Sequence, residues 1–283
     1  MNILNKLTRY REGYFNGIRK VRLFYRHWGL AEPKAVVVRV HGFGSHSGRS
    51  KHVVEFLLER DLNVSSYDQR GHGKSEGIRG YVDAFQEFLD DLHRFVKLSR
   101  IEGTPTFLLG SSMGGLTSLL YSIKNPKNIE GVIASAPFLK IGSDVTLSTK
   151  DVDERLKMAT NHPMTFFRFG NAQEIRSQKE EDELMHDTMT VKLFSEILSA
   201  QKTVFDFGRF ITGPSLLLHG NADTVADPSG SRELFDRITN SDKKLIIYKS
   251  IKHVLLENNR ESRPVLTDIV NWMDDHIKTY YRQ

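Results

Sequence analysis

Short runs of β-branched and apolar residues ending in Gly, Ser or Asp recur along this chain, and between them lie longer segments whose apolar residues return every three or four positions. The first pattern predicts buried strands and the second amphipathic helices. Their alternation predicts an α/β fold, a mostly parallel central sheet flanked by helices. Seven strands are visible: VRLFYRHW from Val21, AVVVRVHG from Ala35, NVSSYD from Asn63, TFLLGSS from Thr106, GVIASAP from Gly131, SLLLHG from Ser215 and LIIYKS from Leu245. The first two are expected to be antiparallel. Phe85, Phe88, Leu89, Leu92, Phe95 and Val96 share one helical face, which should pack on the sheet. Leu266, Ile269, Val270, Met273 and Ile277 repeat that spacing after Pro264, a residue tolerated in a helix's first turn.

From about Leu139 to Phe210 the alternation breaks. This stretch holds many charges, and Met158, Met164, Phe166, Phe167, Phe169 and Phe194, without a convincing strand. It reads as a helical insertion. Leu184, Thr188, Val191 and Leu198 would make one face of a helix and Met185, Met189, Leu193 and Ile197 a second, so this helix should bury two sides or line a pocket. With no internal repeat or low-complexity linker, the expected organisation is one core of residues 1–138 and 211–283 with a helical cap, or lid, at 139–210.

A length of 283 residues suits one large domain, and a hydrophobic fraction of 39% with 27% charged residues is that of an ordinary globular chain. The absence of cysteine excludes disulfides, thiolate zinc sites and a cysteine nucleophile, and it suits a reducing compartment, so cytoplasmic localisation is expected. The N-terminal MNILNKLTRYREGYFNGIRK is broken by charges before any signal-peptide core, and no later run approaches the roughly 18 apolar residues of a membrane helix. The net charge of +5 is spread along the chain rather than clustered, which argues against nucleic acid as a partner.

Candidate chemistry begins at Gly110-Ser111-Ser112-Met113-Gly114, a G-x-S-x-G between a predicted strand and a predicted helix. That context is a nucleophile elbow, a strained turn that lifts the Ser112 hydroxyl above the sheet; glycines flank it because side chains there would clash. A serine hydroxyl needs a histidine base, and the base needs an acid to fix its tautomer. Asp223 follows the strand SLLLHG and His253 follows LIIYKS, so the chain order is Ser, Asp, His, as expected in this kind of sheet. Asp227, before Pro228, is the rival acid but more naturally starts a helix, and His219 lies inside its strand, where packing is the better reading. The oxyanion of the tetrahedral intermediate needs two backbone donors. The Met113 amide is one candidate and the Phe43 amide, in the glycine-rich loop His41-Gly42-Phe43-Gly44, is the other; His41 itself reads as a brace.

HGFGSHSGR, YDQRGHGKSEG, GSSMGG, LLLHGNAD and KHVLLEN together resemble monoacylglycerol lipases and related lysophospholipase-like α/β hydrolases over nearly the whole chain. The resemblance implies the α/β-hydrolase fold with the cap inserted after the sixth strand, and a triad at Ser112, Asp223 and His253 with Phe43 and Met113 as oxyanion amides. It implies no metal and no organic cofactor. Two residues depart from the family: Ser111 stands where His commonly precedes the nucleophile, and Ser45 where an acidic residue often follows HGxG. Arg49 keeps the family pattern, and with Ser111, Met185 and Met189 it is a candidate substrate contact. The expected activity is hydrolysis of a carboxylic ester with an apolar acyl chain, a monoacylglycerol, lysophospholipid or similar small ester, and the cap is where a peripheral membrane contact would be made. The alternatives are an amidase or peptidase of the same fold, for which Glu180, Glu181, Asp182 and Glu183 could bind an amine, and a non-catalytic binding protein. The sequence leaves the oligomeric state open.

Overall fold

The computed structural model describes residues 9–145, 154–158, 162–168, 182–257 and 259–282. Eight strands form one sheet: β1 (Arg9–Asn16), β2 (Arg22–Gly29), β3 (Ala35–Val40), β4 (Leu62–Tyr67), β5 (Thr106–Ser111), β6 (Gly131–Ser135), β9 (Ser215–Gly220) and β10 (Lys243–Tyr248). Their order is β1-β2-β4-β3-β5-β6-β9-β10. From β4 to β10 every pairing is parallel. The central strands β3, β4, β5, β6 and β9 are buried almost throughout, which is why they read as unbroken apolar runs.

Two helices, α1 (Lys51–Leu58) and α6 (Asn259–Tyr280), cover one face of the sheet with Val53, Leu57, Val265, Ile269 and Met273 in the core beneath them. On the other face lie α2 (Gln86–Ser99), α3 (Met113–Lys124), α4 (Val191–Phe207) and α5 (Pro228–Arg237), around Phe88, Leu92, Phe95, Leu116 and Leu234. The predicted stripe of α2 is buried as its spacing requires, from Phe88 to Val96. The last helix starts earlier than Pro264 suggested and runs through that residue.

The first two predicted strands run antiparallel, as expected, but do not pair: β4 lies between them, parallel to β3 and antiparallel to β2, and β2 is also antiparallel to β1. Two expectations are corrected. The segment 184–198 is not one helix. Met185 lies in a turn, Thr188–Thr190 forms β8, paired antiparallel with β7 (Phe166–Arg168), and α4 begins only at Val191. Thr190 stops the helix from extending backwards: its hydroxyl caps the Leu193 amide, while its own amide and hydroxyl donate to the Gly80 carbonyl. The segment expected to be a helical cap therefore contains a two-stranded ribbon among its described residues; Phe169, Glu180 and Glu181 lie outside them.

Candidate active site

The turn between β5 and α3 holds Ser112 at φ 52° and ψ −119°, a left-handed conformation that a serine adopts only under constraint. Ser112 donates its amide to Ser135 O (3.0 Å), and its carbonyl accepts from Phe138 N (3.1 Å) and Leu116 N (3.1 Å). The flanking glycines are required by contact. A Cβ on Gly110 would lie 2.2 Å from Gly114 O, and one on Gly114 2.2 Å from Val40 O. Backbone thus packs directly on backbone where the chain reverses.

The structure brings Ser112, His253 and Asp223 together in one line of hydrogen bonds. Ser112 Oγ lies 2.9 Å from His253 Nε2, and His253 Nδ1 lies 2.7 Å from Asp223 Oδ2. Asp223 is buried and surrounded by donors: Oδ1 accepts from Val225 N and Ala226 N, both at 2.9 Å, and Oδ2 also accepts from His219 Nε2 at 3.0 Å. Burial pushes the Asp223 carboxyl up, but the bonds from His219 and His253 outweigh it and hold it well below the usual carboxylate range. His219, buried inside β9, has its other nitrogen 2.7 Å from Ser231 Oγ. Its Nε2 faces two acceptors, Asp223 Oδ2 and Ala226 O, so it carries a proton there and orients the carboxylate. Asp227, the rival acid, caps α5 by accepting from Ser229 N (2.8 Å).

The loop after β3 reaches the same point. A Cβ on Gly42 would lie 3.2 Å from Ser112 Cβ, so this backbone passes directly beside the candidate nucleophile. Met113 is the first residue of α3, where an amide has no carbonyl within its own helix to bond. Below the loop, His41 donates from Nδ1 to Gly42 O (2.7 Å) and accepts at Nε2 from Gln69 N (2.9 Å), while Gln69 Nε2 donates to His41 O (2.7 Å). Asp68 ties in Ser47 N (2.7 Å) and Lys74 N (2.8 Å). The YDQRGHGKSEG stretch is thereby a structural support for the glycine-rich loop.

The His41 brace works only with a neutral imidazole, since Nε2 must accept from Gln69 N. Burial pushes His41 down to about 4 against the pull of Asp68, and burial together with His186 and His41 holds His72 well below its ordinary value. The unfolded chain protonates both near 6.5, so it binds more protons than the folded protein between that pH and about 4. Stability is expected to fall as pH drops through this window, by up to about 1.4 kcal/mol per pH unit for each group. Asp223 acts lower: its contribution is complete above the ordinary carboxylate value and is lost as pH falls through that value toward its depressed one. Urea unfolding at stepped pH between about 7 and 4.5 checks the sign, and a flat profile contradicts it.

A cleft of about 180 Å³ opens over Ser112. Phe43, Met185, Val225, Val254, Leu255 and Leu256 supply its apolar wall; Ser45, Ser111, Asp144, Asp187, Thr224, Lys252 and Glu257 are polar. Two of the four predicted substrate contacts, Ser111 and Met185, therefore line it. Met189 does not: it is fully buried in the core beside Leu193 and Phe194, because its strand turns it inward. Arg49 is also absent from the lining and stands behind it, bonded to the Met185 sulfur and 3.4 Å from Glu257. Asp144, Asp187, His186 and Glu257 were not singled out from the sequence, and no spacing there marks them.

Residues 31–261 match the family described as serine aminopeptidase, S33. The chain is 31% identical over 265 residues to a monoglyceride lipase of Rattus norvegicus, across 90% of this chain and 88% of that one. It is 27% identical over 274 residues to a monoacylglycerol lipase of Mycolicibacterium smegmatis, across 94% and 98%. The crystal structure of Paleococcus ferrophilus monoacylglycerol lipase is similar with a TM-score of 0.78 at 27% identity, covering 95% of this chain and 100% of that one.

Proposed function

Because the chain belongs to the serine aminopeptidase S33 family of α/β hydrolases, alongside the monoglyceride lipases, we propose that it hydrolyses carboxylic esters with an apolar acyl chain, using Ser112 as nucleophile, His253 as base and Asp223 as the acid that orients it. The observation that carries this reading is the continuous relay from Ser112 Oγ to His253 Nε2 and from His253 Nδ1 to Asp223, at the floor of a cleft with one apolar wall. As Ser112 Oγ attacks the ester carbonyl, its proton passes to His253 Nε2, and the Asp223 carboxylate stabilises the imidazolium. The amides of Met113 and Phe43 take the negative oxygen. His253 then protonates the departing alcohol, leaving an acyl-enzyme. Water attacks the acyl carbon, giving its proton to His253, and collapse of the second oxyanion returns that proton to Ser112 and releases the carboxylic acid.

Under this reading residues 139–210 are the cap over a core made by 1–138 and 211–283, and the acyl chain lies along Met185, Val225, Val254, Leu255 and Leu256. Each methylene moved from water onto such a wall contributes up to about 0.8 kcal/mol, so kcat/KM should rise by up to roughly fourfold per methylene until the wall is covered. With Ser111 at the family's His position and Ser45 at its acidic position, monoacylglycerols and p-nitrophenyl esters of equal acyl length should both be cleaved, and bulky triacylglycerols far less well. A matched acyl series measured below micelle formation is the test. A flat response, or strict preference for acetyl esters, would remove the acyl-wall reading.

Hydrolysis of amides is the second reading, favoured by the carboxylates of Asp144, Asp187 and Glu257 in the cleft lining, which would attract a substrate ammonium. Aminoacyl amides run beside the ester series separate the two. Turnover of the amides with none of the esters would replace the first reading by the second.

A further inference from the structure

We infer that His186, a residue of the insertion, is a positioning residue for the oxyanion loop: its ring and backbone hold Phe43 and Gly44 where the loop must stand when charge develops on the substrate. The inference rests on the reading of Ser112 as the nucleophile. The loop is fixed on its core side by His41 and Gln69, but those bonds end at Gly42. The next two residues are held from the opposite direction. His186 N donates to Gly44 O (3.0 Å), and Gly44, at φ +71°, has no room for a side chain because a Cβ would lie 2.0 Å from His186 O. Donor and acceptor of one peptide segment thus lie flat against the loop.

The side chains continue this clamp. The His186 ring meets the Phe43 ring edge-on, with centroids 5.0 Å apart at 85°, and the His72 ring at 4.7 Å. Phe43 also meets His72 edge-on, at 5.7 Å and 88°. Phe43, His72 and His186 therefore form a triangle of mutually touching rings, and His186 supplies the contact that comes from the insertion. His186 Nδ1 lies 3.1 Å from Thr188 O, an acceptor only, so that nitrogen carries the proton and the ring cannot turn over without losing the bond.

Oxyanion stabilisation depends on donors lying about 2.7–3.1 Å from the charged oxygen, and removal of one donor typically lowers kcat by roughly 10²–10³. A loop that drifts by a fraction of an ångström keeps part of that effect. His186→Ala, which removes the ring against Phe43 but keeps the backbone bond, should lower kcat roughly ten- to hundredfold with KM changed less than about threefold. Affinity for a trifluoromethyl ketone of matched acyl length, which forms an oxyanionic adduct on serine, should fall by the same factor as kcat/KM. His186→Phe restores a ring at the same place and should recover kcat to within several-fold. His186→Asn, which keeps a donor toward Thr188 but has no ring, should behave like alanine and carries the test if the alanine protein does not fold.

A change confined to KM, an unaltered ketone affinity, or no recovery with Phe would overturn the assignment. If instead the wild-type protein is not labelled by a fluorophosphonate, it is the reading of Ser112 that fails, and the role of His186 falls with it.

Discussion

Ser112→Ala is expected to abolish labelling by a fluorophosphonate and to reduce ester turnover by at least about a thousandfold, while Ser111→Ala leaves labelling largely intact. The two serines are adjacent and both line the cleft, yet only Ser112 has its hydroxyl within hydrogen-bond reach of His253 Nε2, at 2.9 Å. Ser111 is the last residue of β5, and its hydroxyl is not carried by the turn. Alanine keeps the Cβ of serine, so it tolerates φ 52° about as well, and the elbow's backbone bonds to Ser135 and Phe138 do not involve the hydroxyl. The thermal midpoint should therefore move little, which separates lost chemistry from lost structure. Residual turnover would come from the oxyanion donors and binding alone. Exchange of the two outcomes, with Ser111→Ala silent and Ser112→Ala labelled, would mean that the nucleophile has been misplaced by one residue.

The elbow was legible because two different periodicities meet there. TFLLG is buried on both faces and reads as a parallel strand, GLTSLLYSIK has helical spacing, and glycines stand at the two positions where backbone meets backbone. Asp223 and His253 follow from the same logic, each lying just past a strand that ends near Ser112. β1 gave no such signal. Its RYREGYFN is an edge strand, mostly exposed, and is held by cross-strand pairs such as Tyr14 with Phe24, with Arg22 stacked over Tyr14. A cross-strand pair is invisible in either strand alone. The segment 184–190 failed in the opposite way. Leu184, Met185, Thr188 and Met189 imitate helical spacing, but the backbone there is committed elsewhere: His186 N to Gly44 O and Thr190 N to Gly80 O. Long-range bonds of this kind outrank periodicity, and they also place His186 and Asp187 at the cleft.

Asp223→Asn is expected to lower ester turnover by on the order of a thousandfold or more, whereas Asp227→Asn should change it less than about threefold. The asymmetry follows from what each carboxylate accepts. Asp223 faces four donors: the amides of Val225 and Ala226 on one oxygen, and His253 Nδ1 and His219 Nε2 on the other. Asparagine offers one oxygen and one amino group. With its oxygen kept on the two backbone amides, its NH₂ points at both histidines, and His253 can meet it only by presenting a lone pair at Nδ1. The His253 proton then moves to Nε2, toward Ser112 Oγ, where the base can no longer take the serine's proton. The imidazolium that forms during attack also loses its counter-charge. Asp227 has a different duty, capping α5 through Ser229 N, and asparagine caps a helix about as well as aspartate. Steady-state turnover of the two variants, each shown to be folded by its thermal transition, decides the matter. Near-normal activity in Asp223→Asn with collapse in Asp227→Asn would transfer the acid's role four residues along the chain and leave the Asp223 cradle a purely structural one.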